Sequence, residues 1–183
     1  MKEIETMNNF EKTVNEDLHR YLMMEGRIDQ RLPEAEDIEG QWKAIGEAYL
    51  PDGIREYNGY PTVSLGWMMY TGMAVAQMWD TDWQKATALD NIYTHLRDQR
   101  GYDCMDEYIL EEVLKLEGQN RTSTEHLVAE CASRTHSQLH HAGIEPGTRQ
   151  AFQAYICALH QLYIMGAAVQ LRAMGYKMEK LNA

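Results

Sequence analysis

The amino-acid sequence predicts an all-α protein, a compact bundle of six or seven helices that forms a single domain over residues 1–183. Apolar residues recur at spacings of three and four along nearly the whole chain, which is the periodicity of amphipathic helices. No window alternates between apolar and polar residues, as a half-buried strand would. Glycine, proline and capping residues separate the periodic segments at intervals typical of globular helices.

The periodic segments define the predicted helices in order along the chain. The first is amphipathic and ends near Gly26, and the second begins after Pro33, whose fixed φ favours a helix start. Acidic residues, Glu34 among them, suit the first turn of the second helix, and Pro51-Asp52-Gly53 is expected to end it. The remaining helices are predicted at residues 62–79, 82–98, 103–116, 122–142 and 146–174.

The segment 62–79 is apolar on nearly every side, so we expect the most buried helix of the bundle there. Gly66 and Gly72 lie within it, and each costs about 1 kcal/mol of helix propensity. That cost suggests that a second backbone packs closely, and we expect Gly72 to lie at a helix–helix contact. Gly72→Leu is then expected to destabilise the fold by roughly 1–3 kcal/mol through overpacking.

Two features predict the ends of the helix at 122–142. Thr122, followed by Glu125 three residues later, fits a capping box at the N-terminus of a helix. Gly143 suits the left-handed conformation that ends many helices. We therefore expect Thr122 to be the N-cap and Gly143 to lie directly after the last turn.

The C-terminal helix carries two apolar faces. The first face consists of Ala151, Tyr155, Ala158, Leu162, Gly166, Val169 and Ala173, and the second of Ile156, Ile164, Ala167 and Leu171. Both faces must be buried, either by other helices of the same chain or by a second copy of it. Residues 121–183 are close to neutral, so two copies can meet there without strong repulsion. The sequence thus predicts a homo-oligomer, most simply a homodimer, with a central bundle helix as the open alternative.

The charge distribution argues against nucleic-acid and membrane partners. The formal net charge is −11, and residues 1–120 carry 24 acidic and 11 basic side chains. An acidic surface repels phosphate backbones and anionic lipid. The N-terminus shows no apolar leader, and the longest apolar run is shorter than a bilayer span. Cys104, Cys131 and Cys157 are scattered as in proteins of reducing compartments, so the sequence predicts a cytoplasmic protein.

His136 and His140 are the weak metal-ligand candidates of this sequence. Their i, i+4 spacing places both rings on one face of a helix. The general-base glutamate of H-E-x-x-H is absent, and helix geometry directs the pair away from the apolar face, toward solvent or another subunit. No nucleophile elbow, phosphate-binding loop or dinucleotide fingerprint occurs. The sequence therefore predicts no metal and no cofactor, and it favours a protein that is not an enzyme.

The sequence also suggests an apolar pocket among the helices rich in Met and Trp. Aromatic rings would form its walls and two histidines would supply polar groups. The candidate ligand-binding residues are Tyr60, Trp67, Trp79, Trp83, His95 and His160. Ordinary core packing is the alternative for the rings, and a hydrogen-bonded core position is the alternative for His160.

Three functions stay open at this point. The lack of a catalytic pattern and the two-faced final helix favour a non-catalytic interaction or assembly protein that self-associates. One alternative is a small-molecule binder, or an enzyme, with a pocket lined by Met and Trp between helices. The other is a peptide-binding helper protein with a Met-lined groove.

Overall fold

The computed structural model describes residues 2–32 and 35–176. Over these residues the chain forms eight α-helices and no strand, which confirms the all-α bundle with one helix more than the upper end of the predicted six or seven. The helices are α1 (Lys2–Met24), α2 (Glu36–Gly40), α3 (Trp42–Gly59), α4 (Pro61–Thr87), α5 (Ile92–Asp98), α6 (Met105–Tyr108), α7 (Gly118–His141) and α8 (Arg149–Ala173). A 3-10 turn (Tyr102–Cys104) precedes α6, and a π-helical turn (Ile109–Val113) follows it.

Helices α4 and α8 form the centre of the bundle and cross at two glycines. A Cβ built on Gly72 would lie against the carbonyl group of Tyr163, and a Cβ built on Gly166 would lie against the carbonyl group of Met69. The two backbones therefore meet with no room for a side chain at either position. This confirms the predicted helix–helix contact at Gly72. Burial is shared between the two helices, since α8 is buried along most of its length as well.

The other helices pack around this central pair. Helix α1 packs against α8 and α7, and α7 also packs against α4. Helices α3 and α5 pack on α4, and α3 also reaches α8. One hydrophobic core runs through the bundle. It contains many of the methionines that make the composition unusual, namely Met68, Met69, Met73, Met105 and Met165.

The predicted helix stop at Pro51-Asp52-Gly53 is wrong, because α3 continues through it to Gly59. Proline removes one backbone donor from a helix, but tertiary contacts hold the next turn in place here. The Ser64 hydroxyl donates a 2.8 Å hydrogen bond to the Gly53 carbonyl, and both residues are buried. The neighbouring helix therefore stabilises the turn that the proline weakens.

Other helix boundaries also differ from the prediction. The segment 82–98 is divided, since α4 runs to Thr87 and α5 begins after its N-cap, Asn91. The segment 103–116 is divided between the 3-10 turn, α6 and the π-helical turn. The second predicted helix is divided between α2 and α3. Pro33 and Glu34, which were expected to begin it, lie outside the described residues.

Thr122 is not the N-cap of α7, because the helix begins one turn earlier, at Gly118. The Thr122 hydroxyl donates to the Gly118 carbonyl at 3.2 Å, inside the helix. Gly143 has a φ of +71° directly after α7, and the prediction for that end is confirmed. The earlier start places Ser123 and Thr124 within α7, where their side chains face the end of α1.

The chain's own helices cover most of α8. In its second apolar face, Ala167 and Leu171 are buried, while Ile156 and Ile164 are half-buried. The length and composition of α8 would suit a membrane span, but 72% of its most apolar window is buried inside the protein. This burial is the pattern of a central bundle helix. Self-association through Ile156 and Ile164 stays a prediction.

Candidate ligand-binding groove

A groove with a volume of about 540 Å³ lies where the ends of α3 and α7 meet the beginning of α8. Helix α3 contributes Ile54, Tyr57 and Asn58, and α7 contributes His136, Leu139 and His140. The rest of the wall comes from the connection between α7 and α8 and from the first turns of α8. The size is within the range of pockets that hold small molecules.

The connection between α7 and α8 forms one wall of the groove because two glycines turn it sharply. Gly143 and Gly147 have φ values of +71° and +78°, which residues with a side chain rarely adopt. Thr148 then caps α8, since its hydroxyl accepts a 3.1 Å hydrogen bond from the backbone N–H of Ala151. These turns place Ile144 on the wall of the groove.

The rim of the groove carries large apolar side chains in contact with water. Ile54 is 40% exposed and Phe152 is 43% exposed, and the two face the same groove from α3 and α8. Single exposed apolar residues are common, but two at one concave surface are typical of a binding site. Leu139 and Ile144, which are half-buried, continue the apolar lining inward.

Tyr57, Asn58 and His136 are hydrogen-bonding side chains of the groove that make no hydrogen bond to another described residue, and the exposed His140 makes none either. The rings of Tyr57 and His136 contact each other edge to face, with centroids 6.0 Å apart. Burial raises the pKa of the Tyr57 hydroxyl from its ordinary value, so this group stays protonated at neutral pH. The groove therefore offers a phenol, an amide and an imidazole to a ligand.

Tyr155 forms the floor of the groove and connects it to a buried network. Its hydroxyl lies 2.5 Å from that of Ser64, which donates its single proton to the Gly53 carbonyl. Tyr155 is therefore the donor toward Ser64. Tyr49 donates to the Ser64 carbonyl at 2.6 Å and lies 3.3 Å from the Tyr102 hydroxyl. Because the Tyr155 hydroxyl is occupied in this network, its ring is what the floor offers to a ligand.

Asp52 fixes the turn of α3 that precedes Tyr57. Its carboxylate accepts hydrogen bonds from the Tyr93 hydroxyl at 2.6 Å, from Arg97 at 3.1 Å and from Arg55 at 3.0 Å. Burial and the bond to Asp52 raise the pKa of Tyr93 far above its ordinary value. The contacts tie α5 to α3 and hold this side of the groove in place.

No protein-family model, curated protein or solved structure matches this chain. The chemistry of the groove is therefore inferred from its own residues. Its walls are mostly apolar, and none of the lining residues that the structure describes is Asp, Glu, Lys or Arg. Because burying an unpaired charge is unfavourable, such a groove favours a neutral ligand.

The aromatic residues predicted to bind a ligand do not line this groove. Tyr60 is 68% exposed at the beginning of α4. The Trp67 indole donates to the Tyr102 carbonyl at 2.8 Å, and the Trp79 indole donates to Asp37 at 3.2 Å. Trp83 is half-buried against the core. The indole donors of Trp67 and Trp79 are thus used to join parts of the fold.

The two histidines predicted as polar groups of a pocket also lie elsewhere. His95 is in α5, and its carbonyl accepts a 2.9 Å hydrogen bond from the side chain of Gln99. His160 lies 2.5 Å from the Glu39 carboxylate, and its ring is stacked on Trp42 with centroids 4.8 Å apart. The alternative for His160 was a core position with a hydrogen-bond partner. Glu39 is that partner, although the His160 side chain is only half-buried.

His136, which was expected to point toward solvent or another subunit, is half-buried on the wall of the groove, and its ring contacts that of Tyr57. His140 is exposed, and its ring contacts that of His141 at 4.9 Å. Within residues 2–32 and 35–176, no group of three or more His, Cys, Asp or Glu side chains is placed to hold a metal ion.

The groove was not predicted from the sequence, although one residue pointed to it. Phe152 is a large apolar residue in the last helix that belongs to neither of its two apolar faces. A large apolar residue outside both faces does not pack in the core of the bundle, so its side chain is available to contact a ligand. Tyr57 and Asn58 were not predicted as site residues, because the helix that carries them was expected to end before them.

Proposed function

We propose that the protein binds a small, neutral and mostly apolar molecule in the groove between α3, α7 and α8. The observation that carries the proposal is an apolar groove of about 540 Å³ with unpaired polar groups along one side. Few, well-placed polar groups on an apolar lining are the usual composition of small-molecule sites. This proposal develops the small-molecule alternative in a part of the fold other than the Trp-rich helices.

The polar side of the groove indicates what the ligand carries. Tyr57 donates a hydrogen bond, and His136 either donates or accepts one according to its tautomer. Asn58 does both. A ligand with a carbonyl or hydroxyl group at one end would meet these residues, while an aromatic or branched aliphatic body would lie between Ile54 and Phe152.

Binding, without nucleophilic catalysis, is the role that the groove favours. Ser64 is fully buried beneath the floor, and its hydroxyl is bonded to Gly53 and Tyr155. The Thr148 hydroxyl is used to cap α8 and donates to the Glu145 carbonyl at 2.7 Å. The serine and threonine hydroxyls at the groove are thus occupied by structural hydrogen bonds.

The test uses Nile red, a neutral apolar dye with a carbonyl group, whose fluorescence rises on leaving water. We expect saturable binding of one dye per chain. Ala151→Trp fills the groove with an indole and should abolish this binding. Ala129→Trp places the same indole on the exposed surface of α7 and should leave the binding unchanged. Saturable binding that survives in Ala151→Trp would refute the proposal.

A second variant tests the polar side of the groove. His136→Phe retains a ring of similar size but removes both nitrogens, and we expect it to weaken binding of the dye roughly 2- to 12-fold, the effect of one hydrogen bond. His126→Phe, an exposed position on the same helix, is the matched control. Native mass spectrometry of the purified protein complements the test, since a neutral molecule that co-purifies should be lost from Ala151→Trp.

A further inference from the structure

The C-terminal end of α1 directs an arginine toward the bundle. Gly26 has a φ of +69°. The backbone N–H of Arg27 donates to the Leu22 carbonyl, and that of Gly26 donates to the Met23 carbonyl, both at 2.9 Å. This is the Schellman pattern in which a glycine ends a helix. The turn brings Arg27 against the beginning of α7.

Arg27 is half-buried and has no carboxylate partner among the described residues. Its guanidinium donates to the hydroxyls of Ser123 and Thr124, and both distances are 3.4 Å, which is long for a hydrogen bond. Burial lowers the pKa of the guanidinium, and the nearby Arg172 lowers it further. A guanidinium has five N–H donors, so several remain available to a ligand.

The other half-buried arginines of the described chain each pair with a carboxylate. The nitrogen–oxygen distances lie between 2.9 and 3.3 Å for Arg97, Arg121, Arg134 and Arg172. Arg27 is thus the exception, in a chain that has 28 acidic residues. Burying a charge without a counter-charge is unfavourable, and a bound anion would remove that penalty.

A cavity of about 430 Å³ opens beside Arg27 between α4, α7 and α8. Its polar lining includes the Ser123 and Thr124 hydroxyls and the amides of Asn120 and Gln170. Its apolar lining includes Met73, Leu116 and Val169. No acidic side chain of the described residues lines it. The cavity has a positive charge at one end and an apolar surface at the other. It therefore suits a molecule with a negatively charged group and an apolar body.

We propose that this cavity binds a small organic carboxylate. The two carboxylate oxygens accept hydrogen bonds from the Arg27 guanidinium, whose planar fork matches them. The Ser123 hydroxyl and the Asn120 amide supply further donors. A short hydrocarbon body lies against the half-buried Leu116 and the exposed Ala173, which an inorganic anion would leave in contact with water. The site is separate from the groove of the neutral ligand and differs from it by the charge of Arg27.

Calorimetric titration of the full chain with hexanoate tests the site. We expect one hexanoate per chain, with hexanamide, which has the same body and no charge, binding at least tenfold more weakly. Inorganic phosphate, an anion without a hydrocarbon body, should also bind at least tenfold more weakly. Equal binding of hexanamide would overturn the role of Arg27, and tighter binding of phosphate would overturn the assignment to carboxylates.

Two variants locate the binding. Arg27→Gln should weaken hexanoate binding at least tenfold, whereas Arg20→Gln, at an exposed position of α1, should leave it unchanged. Ala173→Phe narrows the cavity while Arg27 keeps its charge, and it should also weaken binding at least tenfold. This second variant decides the matter if Arg27→Gln does not fold. Absence of hexanoate binding, or full affinity in Ala173→Phe, would refute the proposal.

Discussion

The hydroxyl groups of Tyr155 and Ser64 lie 2.5 Å apart in the interior, and this contact joins α8 to the beginning of α4. Ser64 also donates to the Gly53 carbonyl of α3, so three helices meet at one serine. The ring of Tyr155 is at the same time the floor of the proposed groove. The packing of the bundle and the shape of the groove therefore depend on the same tyrosine.

Tyr155→Phe should destabilise the protein by about 1–2 kcal/mol, because Ser64 loses a buried hydrogen-bond donor while the ring and its packing remain. Urea unfolding followed by circular dichroism measures the change. Tyr60→Phe, at a position that is 68% exposed, is the control and should change stability by less than about 0.5 kcal/mol. Equal stability of Tyr155→Phe and the wild type would show that the contact contributes nothing.

Gly72→Ala should destabilise the protein by about 3 kcal/mol, toward the upper end of overpacking costs. The new Cβ would meet the backbone carbonyl of Tyr163, which cannot move aside as a side chain can. Better helix propensity offsets only about 1 kcal/mol of this cost. Gly59→Ala meets no atom within 4 Å and should be neutral or stabilising. Thermal unfolding of both variants checks the prediction, and a stabilised Gly72→Ala would contradict the close crossing.

Asp106→Asn should stabilise the protein at pH 7 by about 0.5 kcal/mol, a small value because the side chain is partly exposed and screened. Partial burial, with Glu107 and Glu125 nearby, raises the pKa of Asp106. An acid whose pKa is raised in the folded state costs stability when ionised, and this cost disappears as the pH falls through that pKa.

The gain from Asp106→Asn should therefore shrink between pH 7 and about pH 3, below the ordinary pKa of an aspartate. Urea unfolding at several pH values measures it. Asp90→Asn, at an exposed position, serves as the control. A gain that stayed constant down to about pH 3 would show that the charge of Asp106 is not its cause.

Self-association remains a prediction that the sequence makes, and the fold narrows the surface that could support it. Ala167 and Leu171 are buried within the chain, so Ile156 and Ile164 are the parts of that face left to a partner. Light scattering at micromolar concentration should report twice the mass of the 21.2 kDa chain. Ile164→Glu should reduce it to one chain with the helical spectrum unchanged, while Ile4→Glu, at a position 65% exposed, should not. A monomeric wild type would contradict the prediction.

Several features that depend on a single helix were predictable from the sequence, although the N-cap of α7 expected at Thr122 was not. The three- and four-residue periodicity indicated the fold class because one apolar face per helix must be buried whatever covers it. Gly26 and Gly143 ended helices as expected, since their left-handed conformation is a local property of glycine. The close contact at Gly72 was the one contact between helices that the sequence predicted, because a glycine that weakens a buried helix implies a close neighbour.

Other features that depend on a neighbouring helix were not predictable from one sequence. Pro51 was expected to stop α3, but a hydrogen bond from Ser64 to Gly53 holds the following turn. His136 was expected to face solvent or another subunit, but it is half-buried, and its ring contacts that of Tyr57 in α3. The groove and the cavity at Arg27 both lie where separate helices meet, and the pairing of helices is set by tertiary packing. Local periodicity indicates which face of a helix is buried. Which helix packs against that face depends on the shape and the free energy of the whole bundle.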